Sequence, residues 1–410
     1  MNIKNFVAII VGICVSIVLK AGDRDTTKFV DDKTAGLLYG SALGDSYGGP
    51  IEFKSHKEIQ QLEVPTKHWK EGEFINDEEL GKAKQRLVLR DYRPLRPEAE
   101  PYGHWTFDPG AVTDDTRHKM ILMQMLRESL KDNEFQISDI ELAHTYLEWP
   151  VNSTKDRYRE ITAEWLDESY KGIRWLLGSR DLEVARPLER LWNGVPTSYG
   201  QMSLLPIAAL YPGDAENAYL SAYKVAFFDN SWGRDMNASL VVGLSEAMII
   251  DMKECTPAEA WARIYKVMVD TDPYGFGEIP WMKRSTEYWL NEAKKMVTRA
   301  KGEPAELFAE FDKAFARNMM WEAHVPFVLC FASLEMCNYD PLAALAFCMD
   351  WGQDHDSYAQ LLGAFVGALY GTSLFDDTHI KSLENSLNKD YGESIEEWCE
   401  VLEKLRNKIK

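Results

Sequence analysis

The sequence predicts an all-α protein, and three observations carry that expectation. Apolar residues recur at helical spacing along most of the chain, while the period-two alternation of strands is rare. Glycines repeat at every fourth position in two distant segments, Gly36-Gly40-Gly44 and Gly363-Gly367-Gly371. Acidic or glycine-rich breaker loops adjoin several expected helices. With 410 residues, 45% of them hydrophobic, the chain can bury a large core, as one domain or two smaller ones.

Taken in order, residues 1–22 read as an export signal, with Lys4 ahead of the uncharged apolar run Phe6–Leu19. That run is short for a membrane span, so the expected location is periplasmic or secreted, with an N-terminal anchor as the alternative. Gly36 to Asp45 follows as a helix with glycine on one face. Each glycine costs roughly 1 kcal/mol in a helix interior relative to Ala, so three in register imply close approach of another backbone. The breaker cluster Gly44-Asp45-Ser46-Tyr47-Gly48-Gly49-Pro50 then forces a loop that delivers Asp45 and Glu52. Residues 54–104, rich in Lys, Glu, Arg and Pro, read as an inserted surface segment.

Helical spacing returns from Thr116 to Leu130, near Leu142–Trp149 and at Ile161–Leu177. A loop at Pro196–Met202 leads into an expected apolar helix at Leu204–Tyr211. Pro212-Gly213-Asp214 stops that helix and caps the next. Small and apolar residues at 215–228 and 236–250 suit tightly packed helices, parted by the polar loop Asp229–Asp235. Further helices are expected at Trp281–Ala300, Ala323–Leu334, Pro341–Met349 and from Leu361 onward. Residues 394–410 form a charged amphipathic tail, with Ser394 and Glu397 at capping-box spacing.

Composition excludes several functions. With 65 acidic against 46 basic residues the net charge is −19, which disfavours a phosphate-tracking nucleic-acid surface. The cysteines outside the first segment, Cys255, Cys330, Cys337, Cys348 and Cys399, show no C-x-x-C spacing and read as inert thiols. There is no Gly-x-Ser-x-Gly, no phosphate-loop lysine motif and no His-Glu-x-x-His. The scattered histidines, His118 among them, read as satisfied polar residues.

What remains is acid. Asp45 with Glu52, Asp114 with Asp115, and Asp354 with Asp356 stand at expected helix ends, each beside a hydroxyl (Ser46, Thr113, Ser357). In Thr113-Asp114-Asp115-Thr116 the types suit an N-cap and a first helical turn. Adjacent carboxylates repel, however, and a bound cation relieves that repulsion. Oxygen-only donors favour Mg²⁺, Mn²⁺ or Ca²⁺ over zinc. The two glycine-faced helices offer a way to bring the distant acidic loops together.

These motifs, Gly44-Asp45-x-x-Gly48 with Glu52, Thr113-Asp114-Asp115-Thr116, and Gly352-x-Asp354-x-Asp356-Ser357 ahead of the second glycine series, resemble the ADP-ribosylglycohydrolase family in type and order over roughly residues 32–375. Residues 376–410 fall beyond that stretch as a helical tail. The resemblance implies an orthogonal multi-helix bundle around a cleft holding two Mg²⁺, or Mn²⁺. It implies Thr113, Asp114, Asp115, Asp354, Asp356 and Ser357 as ligands, and Glu52 and Asp115 as catalytic residues. On the substrate side it implies Ser198, Tyr199, Gly200 and Met202, with His355 placed to meet ligand or solvent. The implied activity is metal-dependent hydrolysis of an N- or O-ribosyl bond in a small ribosyl or ADP-ribosyl substrate. Asp45 reads equally as a structural residue or a support for the ligands. Departures from the pattern are Ser357 for the usual Thr, Ser203 for Arg after Met202, and Asp229-Asn230 for a Ser-His element. The rival readings are a metal-independent exported glycosidase using paired carboxylates, suggested by the 13 Trp, and a non-catalytic binding member of the fold.

Overall fold

The computed structural model describes residues 26–59, 87, 109–131, 135–152, 166–278, 281 and 283–409. The expected signal at 1–22 and most of the segment 54–104 lie outside the described residues. Among those described there is no strand, only the isolated bridges Ser55–Gly352 and Thr197–Glu322, so the fold is all-α as expected. No helix among them is long and apolar enough to cross a membrane.

The helices run α1 (Thr26–Gly48), α2 (His56–Ile59), α3 (Asp114–Ser129), α4 (Asp139–Asn152), α5 (Asp167–Leu176) and α6 (Tyr199–Ser203). They continue with α7 (Ala215–Val225), α8 (Trp232–Ala247), α9 (Pro257–Asp270), α10 (Ser285–Ala300) and α11 (Pro304–Ala314). The last are α12 (His324–Met336), α13 (Pro341–Cys348), α14 (His355–Tyr370), α15 (Asp377–Tyr391) and α16 (Ile395–Ile409). In α14 every residue from His355 to Leu369 is buried, and in α12 every residue from His324 to Leu334. Helices apolar all round belong inside a large core rather than on its surface. The amphipathic α9, α10, α11, α15 and α16 each bury one face, as α16 does with Trp398, Leu402 and Leu405.

The glycine series do meet. A Cβ added to Gly40 would lie 2.1 Å from the Gly363 carbonyl oxygen, and one on Gly36 would lie 2.3 Å from that of Gly367. The two backbones therefore touch directly along the α1–α14 seam, the reason small residues recur there. Ser41 Oγ donates to Gln360 Oε1 at 3.0 Å within the seam. At one end Thr372 donates to Asp32 Oδ1. At the other, a Cβ on Gly48 would lie 2.5 Å from Asp356 Cα, so the seam runs straight into an acidic loop.

Four expectations about elements need correction. The cluster from Gly44 does not open a loop: α1 runs on through Gly48, so Asp45 is helical and the chain turns only at Gly49–Ile51, ahead of Glu52. The apolar segment after Leu204 is a 3-10 helix, Leu205–Leu210, fully buried but tightened around Pro206 and ended before Pro212. The loop after Asp229 is shorter than expected, because α8 begins at Trp232 and makes Asp235 helical. The helix expected from Trp281 starts only at Ser285. Arg284 before it is extended and buried, drawn into an ion pair with Asp235 at 2.6 Å and onto the carbonyls of Met268, Val269 and Thr271. A buried guanidinium is tolerable when its donors are spent this way.

Candidate active site

The first acidic loop leaves α1 through the 3-10 turn Gly49–Ile51, which Pro50 starts, and reaches Glu52. It is then clasped to the last acidic loop. Phe53 N donates to Gln353 O at 2.6 Å and Gln353 N donates to Lys54 O at 2.8 Å. The clasp holds Phe53 at φ 63°, Gln353 at φ 75° and Gly352 at φ 105°. A side chain at Gly352 would strike the Lys54 carbonyl oxygen at 2.3 Å, so only glycine fits. Non-glycine residues at positive φ cost of order 1 kcal/mol or more each and persist where surrounding contacts over-determine them. Here the contacts are the clasp itself.

The middle cluster opens α3. Thr113 is the N-cap, its side chain accepting from Asp115 N at 3.3 Å. Asp45 reaches across from α1 and accepts from Thr113 N at 2.9 Å, from Thr116 N at 3.0 Å and from the Thr116 hydroxyl. Of the two roles open to Asp45, the geometry shows a clamp on the first turn of α3. Ser357 Oγ on α14 donates to Asp115 Oδ2 at 3.2 Å, joining residues 242 apart in sequence. Lys119 lies buried beneath, with Nζ donating to Asp115 O and to Gln360 Oε1.

The result is two carboxylate triads with one shared member. Glu52, Asp354 and Asp356 offer oxygens within 4.8 Å of one another, and so do Asp114, Asp115 and Asp356. Neither Asp356 oxygen has a hydrogen-bond partner, nor has Asp115 Oδ1, although all three are buried. Orphaned buried acceptors cost about 1–3 kcal/mol each, more when charged. The set is oxygen-only and hard, so it fits divalent cations of the Mg²⁺ and Ca²⁺ kind. Burial first, then the neighbouring carboxylates, push Asp114, Asp115 and Asp356 above the usual carboxylate range. Asp354 is pushed up to about 7 by burial and by Asp114.

These shifts predict how the metal-free protein responds to pH. Carboxyls whose folded pKa lies above the unfolded value, about 3.9, bind protons more tightly when folded. Stability is then highest below the unfolded pKa and is lost as pH rises through the folded values. With chelator present, the melting temperature is expected to fall from pH 5 to pH 8, and a divalent cation added at pH 8 restores it. A chelated protein whose melting is flat over that range would contradict the cluster's electrostatics.

Above the triads lies a cavity of about 280 Å³. Glu52, Asp114, Asp115, Asp354 and Ser357 reach its floor; Phe53, His118, Trp192, Thr197, Ser198, Tyr199, Met202, Met320 and Trp321 line it further. Thr113 and Asp356 are buried alongside the floor. Of the residues expected on the substrate side, Ser198, Tyr199 and Met202 line the cavity, while Gly200 sits behind them against Asp229. The expectation for His355 is corrected. It is fully buried, does not line the cavity, and has Nδ1 within 2.9 Å of the Gln353 carbonyl. His118, expected to be an ordinary polar residue, stands four positions after Asp114 on the same helical face and packs on Tyr199 at 4.3 Å between ring centroids. Burial, with Lys119 and Arg117 nearby, pushes its pKa down to about 3, so the ring is neutral. Phe53, Trp192, Met320 and Trp321 carried no signal in the sequence, since each sits on irregular backbone.

No curated protein matches the chain. A solved structure described as an ADP-ribosylglycohydrolase-related protein complex shares its fold, with a TM-score of 0.51 at 14% identity, over 93% of this chain and 100% of that one. The ADP-ribosylglycohydrolase family profile matches residues 26–409, from the first described helix to the last. The all-α fold, the acidic centre and that match agree: the chain belongs to the ADP-ribosylglycohydrolase family, whose members are hydrolases acting on glycosidic bonds.

Proposed function

We propose that this hydrolase cleaves an N- or O-ribosyl bond of the ADP-ribosyl type and works with two Mg²⁺ ions, or Mn²⁺, in its carboxylate centre. The observation that carries the reading is the pair of triads sharing Asp356 at the floor of an aromatic-walled cavity. Glu52, Asp354 and Asp356 would hold one ion, and Asp114, Asp115 and Asp356 the other, with the Thr113 and Ser357 hydroxyls adjacent. Bound there, the ions would supply Lewis acidity toward ribose hydroxyls and water.

The rest is done by the chain. Glu52 is partly exposed at the cavity floor and can take a proton from water attacking the anomeric carbon. The developing oxocarbenium charge faces Asp114, Asp115 and Asp354, whose field favours it over the neutral ground state. Asp115 is held by Ser357 and by the cap of α3, so its unpartnered oxygen keeps its aim. Tyr199, Trp192 and Phe53 present flat surfaces to a leaving group and exclude bulk water.

The test is a panel of ribosyl and ADP-ribosyl conjugates assayed with Mg²⁺ and with excess chelator. Turnover is expected only with metal; full turnover in chelator would favour the metal-independent paired-carboxylate mechanism. Glu52→Gln is expected to lower kcat by about 10²–10⁴-fold while the protein still folds and binds ligand. Normal turnover in that variant would remove Glu52 from the catalytic set.

A further inference from the structure

We infer that, within the ribosyl hydrolysis proposed above and resting on that reading, His118 donates a hydrogen bond from Nε2–H to the departing group. The ring sits where such a donor is needed. It follows Asp114 by about one turn of α3, and both residues line the cavity. It also packs on Tyr199, 4.3 Å between ring centroids, and so stands at the junction of the carboxylate floor and the aromatic wall. A ribose on the floor, with its leaving group against the wall, places the bond to be broken at that junction. The two ring nitrogens have different surroundings. Nδ1 lies 3.3 Å from the hydroxyl of Tyr146, which is buried on α4. Nε2 has no hydrogen-bond partner among the described residues, yet it is not shut off from solvent as Nε2 of His355 is. Neighbouring hydroxyls are spent, Ser357 on Asp115 and Thr197 on Asp229.

The partner on Nδ1 decides which nitrogen carries the proton. A phenol, with an ordinary pKa of about 10, is a far stronger acid than a neutral imidazole N–H, and an imidazole nitrogen is the better acceptor. Tyr146 therefore donates, Nδ1 accepts, and the proton of the neutral ring is on Nε2, toward the cavity. Burial, with Lys119 and Arg117 nearby, disfavours the imidazolium, and divalent ions on the floor would disfavour it further. A neutral donor also suits the chemistry, because it stabilises negative charge on a departing atom without setting another cation against the oxocarbenium. As the bond from the anomeric carbon to the departing N or O breaks, its electron pair passes to that atom. Water forms the new C–O bond and gives a proton to Glu52. Nε2–H shares its proton with the departing atom and keeps it, and the released group takes its own proton from solvent.

Dependence on the leaving group separates this role from simple packing. Para-nitrophenyl and phenyl ADP-ribosides, carrying a good and a poor leaving group, are compared at saturating Mg²⁺. His118→Phe keeps an aromatic ring against Tyr199 and removes the donor. It is expected to lower kcat about tenfold on the nitrophenyl compound and about 10²–10³-fold on the phenyl one, with KM and melting temperature little changed. His118→Gln, whose amide can reach the position of Nε2, should recover at least about tenfold of the loss on the phenyl compound. In Mg²⁺-loaded wild-type protein with isotopically labelled histidine, long-range proton–nitrogen NMR should show the ring neutral, protonated at Nε2 and bare at Nδ1. Equal losses on the two compounds, no loss, no recovery with Gln, or a ring protonated at Nδ1 would each overturn the proposal. Should His118→Phe fail to fold, the NMR assignment of the proton decides. Wild type inactive on both compounds would overturn the hydrolase reading and this role together, a result distinct from a working enzyme indifferent to His118.

Discussion

Asp356→Asn is expected to lower turnover by about 10³-fold or more and to leave the centre unable to hold either ion at its wild-type affinity. Asp356 is the member common to the two triads, so one substitution removes a carboxylate from each. Its side chain is buried, and neither oxygen makes a hydrogen bond that the fold relies on. Asn keeps the volume, and the tight contact of Gly48 with the Asp356 backbone is unaffected. The helical spectrum should therefore remain normal. In chelator the variant should melt at a higher temperature than wild type, because one carboxylate that Glu52, Asp115 and Asp354 repel has gone. Calorimetric titration with Mn²⁺, steady-state kinetics and a chelated thermal melt decide the matter. Wild-type metal stoichiometry with wild-type kcat would remove the shared-ligand reading altogether.

The second large effect belongs to the seam. Gly40→Ala gains roughly 1 kcal/mol of helix propensity on an exposed helix, yet here it is expected to destabilise. The new methyl would lie 2.1 Å from the Gly363 carbonyl oxygen and 2.9 Å from its carbon. These are main-chain atoms of a buried helix and cannot rotate aside. Overpacking in a core costs about 1–3 kcal/mol, occasionally more, and a backbone-on-backbone clash belongs at the upper end. Gly44 and Asp45 follow one turn later, so separating the helices also shifts the clamp on Thr113 and Thr116. The variant should show a lower urea midpoint with an unchanged slope, and reduced activity in whatever fraction folds. Stability equal to wild type would mean the helices tolerate separation and the glycines need another explanation.

How far the sequence disclosed this molecule depended on whether the signal was local. Glycines four apart, Thr and Asp at helix starts, and Pro-Gly-Asp stops act within one or two turns, so the helical class and the helix pairing were readable. The acidic clusters were legible for the same reason, since each lies within a few residues of chain. Regular periodicity failed where neighbours decided. Arg284 stays extended because Asp235 draws it in, and Pro206 tightens a segment whose composition reads as an ordinary helix. His355 lies between Asp354 and Asp356 in sequence, but about 100° of rotation per helical residue turns it from the cleft into the core. The aromatic wall was hidden for a different reason. Trp192 and Phe53 are presented by backbone at positive φ, for which neither residue type is a marker. Asp229 stands out in the sequence only as a departure, with Asn230, from a Ser-His element of the family pattern. Its partner Gly200 lies 29 residues earlier, and nothing in the spacing connects them.

The α1–α14 seam has a consequence for how the protein comes into being. A chain emerging from the ribosome presents the glycine face of its first described helix long before residues 355–370 exist to cover it. Local elements can form as they emerge, but the central backbone contact must wait for the last part of the polypeptide. A chain ending at residue 354 contains Asp114, Asp115 and Asp354 but lacks Asp356, Ser357 and the helix that carries them. Such a nascent chain holds neither complete triad. With its central pairing closing across more than three-quarters of the polypeptide, the fold has the long-range wiring of slow-forming topologies, and its chemistry arrives in a single late step.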